Sequence, residues 1–484
     1  MPSRFHCGRI AAAPSRREFL ARSAFGFGAL AAGELLARDG WSDETQPVAG
    51  VNPLAPKPPH FPAKAKSVIF LFMTGGPSHL DTFDPKPELK RLDGQPLPES
   101  YKTDGLALQF MQAQHGKLMA SPFAFRKHGQ SGLEISDLFP HLAKHADRLA
   151  VIRSCHHESF IHGPAITLMG TGSLLLGHPS IGSWVTYGLG CESDELPAYI
   201  VLSDGGFRGG NVMYQSGFLP AVYQGTILRD EGVPIQNLRP AGDVSPRQQR
   251  LMLDRLARWN ERHRQARPGD SQLDARIANY ELAYRMQTAA PELIDVSKES
   301  QATLELYGVG QQPTDRFGKM CLLARRMVER GVRYVQLFNN DWDGHGECAK
   351  NHQGNAQRID RPIAGLLADL HQRGLLDNTL VVWTGEFGRT PVMQGNLGRD
   401  HSPYGFTTWM AGGGIAGSKA IGATDELGFR AVEDAVHVHD IHATILGLLG
   451  LEHTKLPFYF GGRERRLTDV FGDNNLTPRL VGAR

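Results

Sequence analysis

The sequence predicts an α/β fold in which a mostly parallel sheet is covered by helices on both faces. Three observations predict it. Apolar runs rich in β-branched and aromatic residues, such as KSVIFLFMTGG from Lys66, stop at glycines and have the length of strands buried on both sides. Segments with apolar residues at three- and four-residue steps lie between these runs, and two of them end in glycine as helix C-termini do. The composition agrees: 484 residues, 41% hydrophobic and 21% charged, can bury one large core or two and do not describe a disordered chain.

The elements follow in order. SRREFLARSAFGFGALAAGELLA starts with Arg16-Arg17, continues through Phe19-Leu20 and runs on through small and apolar residues to Ala37, which resembles a twin-arginine export signal. Residues 1–45 are therefore expected to be signal and spacer, and the protein to be periplasmic or otherwise extracytoplasmic. Gln46 to Lys66 is proline-rich and reads as an extended linker, 46–66. No other apolar run reaches membrane-spanning length, so a membrane is involved only if the signal stays uncleaved. An α/β domain is expected over 67–470, with a tail over 471–484.

Within that domain, strands are expected at KSVIFLFM, RLAVIRS, PAYIVLS, VRYVQLF, NTLVVWTGE and FTTWMAGGG. Helices are expected at SDLFPHLAKHAD, SIGSWVTYGLG, FGKMCLLARRMVERG and QRIDRPIAGLLADLHQRG. From about 240 to 307 the chain is strongly charged and helical with no strand candidate, and reads as an insertion on the sheet domain. Such an order places ligands at the carboxyl ends of the strands.

Charge and cysteine content narrow the function. Lys+Arg 52 against Asp+Glu 50 gives a net charge of +2, far from the basic excess of a nucleic-acid binder. The 20 histidines fall largely in clusters, which points to metal or acid/base chemistry. Cys7, Cys155, Cys191, Cys321 and Cys348 show no CxxC or zinc-ribbon spacing. An exported chain has room for two disulfides among the last four, in pairs that spacing does not assign. GGGIAG fits GxGxxG formally but lies late in the chain with no clear helix after it, and makes no dinucleotide site.

Three successive strand ends carry polar chemistry. VRYVQLF runs into Asn339, Asn340, Asp341, Trp342, Asp343, Gly344 and His345. Asp341 and His345 are four apart across a glycine, a spacing that lets a carboxylate and an imidazole meet on one cation. TLVVWTGE ends in Glu386, with Arg389 just beyond, and GRDHSPYGF brings Asp400 and His401 in front of the next strand. Each has a plainer reading alone: DWDGHGE as an Asp-Gly turn, Glu386 as a helix cap, Arg389 as a surface cation. Together they point to a metal or anion site. His439 and His442, in HVHDIHATILGLLG, read as mainly structural, with Asp440 as an N-terminal cap.

These motifs in this order, from the first strand ending in GG through LDTFDPK, IRSCHHESFIHGPAITLMGTG, NNDWDGHGE, VVWTGEFGRTP, GRDHSPYGFTTWMAGGG and GGRERRLTDV, resemble the DUF1501 family, which is related to the alkaline phosphatase and sulfatase superfamily. The resemblance spans nearly all the chain after the linker. It implies an alkaline phosphatase-like domain with one metal held by Asp341, His345 and His401. For a second metal it offers only Asp81, some residues beyond Gly75-Gly76, and Glu386, because the Asp-His pair of alkaline phosphatases reads Glu386-Phe387 here. His162 stands where the superfamily has its serine or threonine nucleophile, and Cys155 is followed by HHESF rather than the sulfatase pattern CxPxR. The expected activity is hydrolysis of phosphate or sulfate esters without a covalent nucleophile. His157 and His162 would join Glu386 around a metal that activates water, Arg389 and Asn340 would hold the substrate anion, and a histidine would protonate the leaving oxygen. Zinc suits the His-rich set, with calcium, which prefers oxygen ligands, as the other possibility. The partner is an anionic small molecule or glycan ester. The alternative is a catalytically degenerate, metal-containing protein that binds anionic glycans or an extracytoplasmic partner.

Overall fold

The first strand of the domain is buried along its whole length, and its side chains alternate between two cores. Val68, Phe70 and Phe72 enter one, and Ile69, Leu71 and Met73 the other. The computed structural model describes residues 52–99, 101, 116–229, 245–267, 271–468 and 476–481. The export segment, residues 46–51 of the linker, 240–244 and 268–270 of the charged helical stretch, and 471–475 and 482–484 of the tail lie outside the described residues.

In chain order the strands of the central sheet and of the hairpin beside the site are β1 (Ser67–Met73), β2 (Ala150–His156), β3 (Tyr199–Ser203), β4 (Thr226–Ile227), β5 (Tyr334–Asn339), β6 (Thr379–Thr384), β7 (Gly388–Gln394), β8 (Gly398–Ser402), β9 (Phe406–Gly412), β10 (Lys419–Ile421) and β11 (Val436–His437). β7 and β8 pair with each other as an antiparallel hairpin. The others form one sheet in the order β10-β2-β9-β6-β1-β5-β3-β4, with β11 also paired to β2. β1 lies parallel to β5 and β6, with Val68 opposite Tyr334 and Leu380. β9 alone in this sheet runs antiparallel, to both β2 and β6. This is the mostly parallel sheet expected from the apolar runs.

The helices used below are α1 (His162–Thr171), α2 (Ile181–Leu189), α3 (Pro246–Gln265), α4 (Ser271–Ile294), α5 (Asp315–Glu329), α6 (Cys348–Gln372) and α7 (Val438–Leu448). Both faces of the sheet are covered. On α6, Ile359, Ile363, Leu366 and Leu370 recur at three- and four-residue steps and enter the core of Ile69 and Leu71 with Met320 and Met327 of α5. α6 ends before Gly374, whose φ of +69° favours glycine. The opposite core takes Ile166 of α1, Trp184 of α2 and Ile445 of α7. Each such buried side chain contributes roughly 1.5–3 kcal/mol through the apolar area it removes from water. In the charged helical stretch, α3 starts with Ser245 in a reciprocal cap with Gln248 and pairs with α4 through Arg250 and Glu281, 3.0 Å apart.

Three expectations change. SDLFPHLAKHAD forms only a 3-10 segment, Leu142–Arg148, because Pro140 precedes it and the Asp360 carboxylate of α6 takes the His141 and Leu142 N–H groups at 2.8 Å each. The four described cysteines are buried and free, so no disulfide joins the described residues. His437, not Asp440, is the N-terminal cap: Asp440 is the third residue of the helix, and its carboxylate accepts the His437 N–H at 2.9 Å. Among the described residues no helix is long and apolar enough to cross a membrane.

Because β1, β2, β3, β5 and β6 are parallel, their carboxyl ends share one edge of the sheet. β9 is antiparallel, so its first residue, Phe406, lies at that same edge. The residues after β2, β3, β5 and β6 and those before β9 are therefore brought together.

Candidate metal centre

Four side chains converge at this edge. His162 opens α1, Asp343 and His345 follow β5, and His401 lies on β8 just before β9; one ligand atom from each lies within 4.8 Å of all the others. Asp343 is at the middle. Its carboxylate oxygens are 3.1 Å from His162 Nε2, 3.1 Å from His345 Nε2 and 3.3 Å from His401 Nε2.

The far nitrogen of each ring fixes what the near one offers. His162 Nδ1 lies 2.6 Å from Glu386 Oε1, His345 Nδ1 2.6 Å from Gln394 Oε1, and His401 Nδ1 2.8 Å from the Phe160 carbonyl. These oxygens only accept, so each Nδ1 carries the proton and donates it. Each Nε2 faces Asp343, donating to the carboxylate while it carries a proton and offering its lone pair to a cation once that proton is lost. Outer acceptors on Nδ1 are what orient and tune metal-binding histidines. Three imidazole nitrogens and one carboxylate oxygen are a donor set that suits zinc or a similar divalent transition ion and suits calcium poorly. The residues present thus fit a divalent cation held by His162, Asp343, His345 and His401.

The backbone is shaped for this contact. Gly75, just past β1, has φ +117°, and a Cβ there would stand 2.5 Å from the Asp343 nitrogen. Its N–H donates to both oxygens of Glu386, at 2.8 and 3.0 Å, and holds that buried carboxylate against His162. The first strand end therefore supplies a backbone donor where the resemblance implies a carboxylate. Phe387, also buried, lies under His162 and His401, with ring centroids 4.9 and 4.4 Å away, and gives the centre an apolar floor.

Electrostatics follow from the same contacts. Burial alone would raise the Asp343 carboxyl, but hydrogen bonds from His162, His345 and His401 and the charge of Arg389 hold it far below the usual carboxylate range. His162 is lowered by burial, but bonds to Asp343 and Glu386 outweigh this and raise it. The Asp343 bond also raises His345. Burial brings His401 down to about 4.

The structure places the other sequence candidates elsewhere. Asp341 stays out of the cluster: its φ of +77° turns it outward, and its side chain is exposed, 3.9 Å from Arg358. The buried Trp342 separates it from Asp343, which takes the place expected of it. Asp81 is buried in an ion pair with Arg399 at 2.9 Å. Glu386 stands behind His162 rather than among the four converging atoms. His157 is buried with both ring nitrogens engaged, Nε2 on the Glu386 carbonyl and Nδ1 accepting from Ser159 N–H at 3.0 Å; burial lowers it to about 4. It has no face toward substrate. Arg389 is fully buried, with its guanidinium on Asp343 at 2.7 Å and on the carbonyls of Gly75, Gly76 and Arg399. It braces the carboxylate from within the core, with no exposed face for a substrate anion. Asn340 Nδ2 is spent on Ser203, Asp204 and Gly206.

One residue escaped the sequence reading. Arg208 reaches Asp343 Oδ2 at 2.9 Å from the segment LSDGGFRGG after β3. The signal was present, because this too is a strand end, with glycine pairs flanking a single cation. A separate cavity of about 810 Å³, lined by Tyr199, Tyr223, Glu281 and Arg285 among others, contains none of the four converging residues.

Residues 65–479 match the family model described as "Protein of unknown function (DUF1501)". The chain belongs to the DUF1501 family. No curated protein matches it in sequence. Solved structures similar to this DUF1501 protein include Ps i-CgsB in complex with k-i-k-neocarrahexaose, at TM-score 0.37 and 9% identity over 86% of this chain and 76% of that one. The lipoteichoic acid synthase LtaP from Listeria monocytogenes gives 0.36 and 11% over 82% and 76%. Alkaline phosphatase from the Antarctic bacterium TAB5 gives 0.31 and 12% over 80% and 98%. These likenesses are too low to carry function, which has to come from the centre itself.

Proposed function

We propose that this DUF1501 protein is an exported, metal-dependent hydrolase of phosphate or sulfate esters. The single observation that carries the reading is the convergence of three Nε2 atoms on Asp343 with every Nδ1 already engaged. The centre is open to solvent on one side: the Asp343 side chain is 20% exposed and His345 37%, which leaves room for an ester to approach. A divalent cation, zinc by the donor set, supplies Lewis acidity toward an ester oxygen and acidifies water when bound there. The chain's own residues do the rest. Glu386 holds His162 in one tautomer, Arg389 fixes Asp343, and Phe387 keeps water from the floor of the centre. An anionic small molecule or glycan ester fits this local charge.

A second reading is favoured by one feature. A histidine, not a hydroxyl or thiol, faces the centre from the start of α1, where the superfamily places its nucleophile. The protein would then bind anionic glycans or an extracytoplasmic partner without turnover.

The test is hydrolysis of a panel of aryl and glycosyl phosphates and sulfates by the metal-loaded chain, with chelated protein and His345→Ala as controls. Turnover lost in both controls supports the hydrolase. Stoichiometric metal with no turnover on any ester supports the binding protein. Export belongs to the same proposal, on the strength of Arg16-Arg17 and the apolar run after them. Replacing both arginines by lysine is expected to keep the protein in the cytoplasm, and unchanged fractionation would refute that route.

A further inference from the structure

We propose that Arg208 holds the anionic group of the substrate, a tetrahedral oxyanion of phosphate or sulfate type, at the mouth of the centre. The inference rests on the metal reading above and goes beyond it by naming the residue that meets the anion. Two guanidinium groups touch Asp343, and they differ in what they have left to give. Arg389 is buried and spends its donors on carbonyls and on Asp343 Oδ1. Arg208 is 42% exposed and contacts Asp343 Oδ2 at 2.9 Å with one nitrogen, on the solvent side of the centre. Asp343 takes only one of its nitrogens, so the rest of its partly exposed planar fork is left for another acceptor, and such a fork suits two oxygens of one oxyanion.

The segment that carries it is held on both sides of the arginine. Before it, the Gly206 carbonyl accepts from Ser203 Oγ and from Asn340 Nδ2, the latter at 3.2 Å. After it, Gly209 packs on Ile166 of α1, where a Cβ would meet Ile166 at 3.0 Å. Gly206 and Gly210, with φ of +90° and +72°, have nothing within 4 Å of where a Cβ would stand, so the segment borders open space. Asn340 thus serves the anion indirectly, by pinning the loop of Arg208. The charges agree: the carboxylates of Asp343 and Glu386 oppose the guanidiniums of Arg208 and Arg389, so a divalent cation leaves the centre with a local positive excess that favours an anion.

The experiment is calorimetric titration of inorganic phosphate and inorganic sulfate into the metal-loaded chain, with metal content measured on the same samples. The wild type is expected to bind at least one of the two anions. Arg208→Ala is expected to keep its metal and weaken that binding by at least about tenfold, the scale of a lost charge-assisted hydrogen bond. Arg208→Lys, which keeps the charge and loses the fork, should recover part of it. An alanine variant that keeps both metal and full anion affinity overturns the inference. So does an alanine variant that loses its metal, since Arg208 would then act only through Asp343, and so does metal-loaded wild type that binds neither anion. A wild type that takes up no metal instead brings down the metal reading, and this inference with it.

Discussion

The protein has two histidine-rich regions, and they are built in opposite ways. At the strand edge, His162, His345 and His401 each give Nδ1–H to an outer acceptor and turn Nε2 inward on Asp343. At the start of α7, His439 and His442 use Nε2 on the carbonyls of Gly172 and Met169, at 2.7 and 2.8 Å, while His437 caps the helix and meets Glu158 at 2.8 Å. In the first region the Nε2 atoms share one point beside a carboxylate. In the second the N–H groups are used to fasten α7 to α1. Each region holds three histidines, and what separates a ligand set from a helix clamp is which nitrogen the surroundings have already taken.

The largest expected difference between the regions is in metal content. His345→Ala and His401→Ala should each lose stoichiometric divalent metal, whereas His442→Ala should keep it and lose about 1–3 kcal/mol of stability from its broken buried bond, read by denaturant unfolding. Metal loss in His442→Ala, or retention in both edge variants, would erase the distinction.

Gly75→Ala probes the backbone of the first region alone. With φ +117° and a 2.5 Å clash on Asp343 N, it should cost about 1–3 kcal/mol and lower metal affinity as well. A fully stable variant with wild-type affinity would show that the loop of Asp343 is free to move.

Glu386→Gln keeps the shape behind His162 and removes the charge. Metal affinity should fall about 10- to 100-fold by competitive chelator titration, as for other outer partners of ligand histidines. An unchanged affinity would make Glu386 a bystander.

The pH dependence of stability belongs to the second region. Burial, with the charge of His439, lowers His442 from 6.5 to about 3, so the unfolded chain takes up a proton first as pH falls between those values. Stability from this group is complete above pH 6.5 and is lost as pH drops toward 3, by at most about 1.4 kcal/mol per unit. The unfolding midpoint should therefore fall more steeply from pH 7 to 5 in the wild type than in His442→Leu, and equal slopes would assign the effect elsewhere.

Much of the fold was legible because burial on both faces leaves a plain trace in sequence: KSVIFLFM and VRYVQLF have no polar face to confuse them. SDLFPHLAKHAD misled because its period is helical while its length is set by Pro140 and by a carboxylate more than two hundred residues away. At the centre, His345 and His401 could be read from strand ends, but the choice of Asp343 over Asp341 could not. A four-residue spacing suggests convergence in a regular loop, and this loop is turned by a positive φ at Asp341 and anchored by Trp342, whose indole donates to Asn339 at 2.7 Å. Arg389 looked like an anion holder because a strand-end cation usually faces the ligand. Its burial among carbonyls is a tertiary fact, as is the freedom of Arg208.

The most direct test of the central claim is X-ray absorption at the metal edge of purified, metal-loaded protein. The account predicts a transition ion with three imidazole nitrogens at about 2.0–2.1 Å and a carboxylate oxygen, and fewer imidazoles in His401→Ala. An all-oxygen shell at about 2.3–2.6 Å, or imidazole scattering unchanged in His401→Ala, would contradict it.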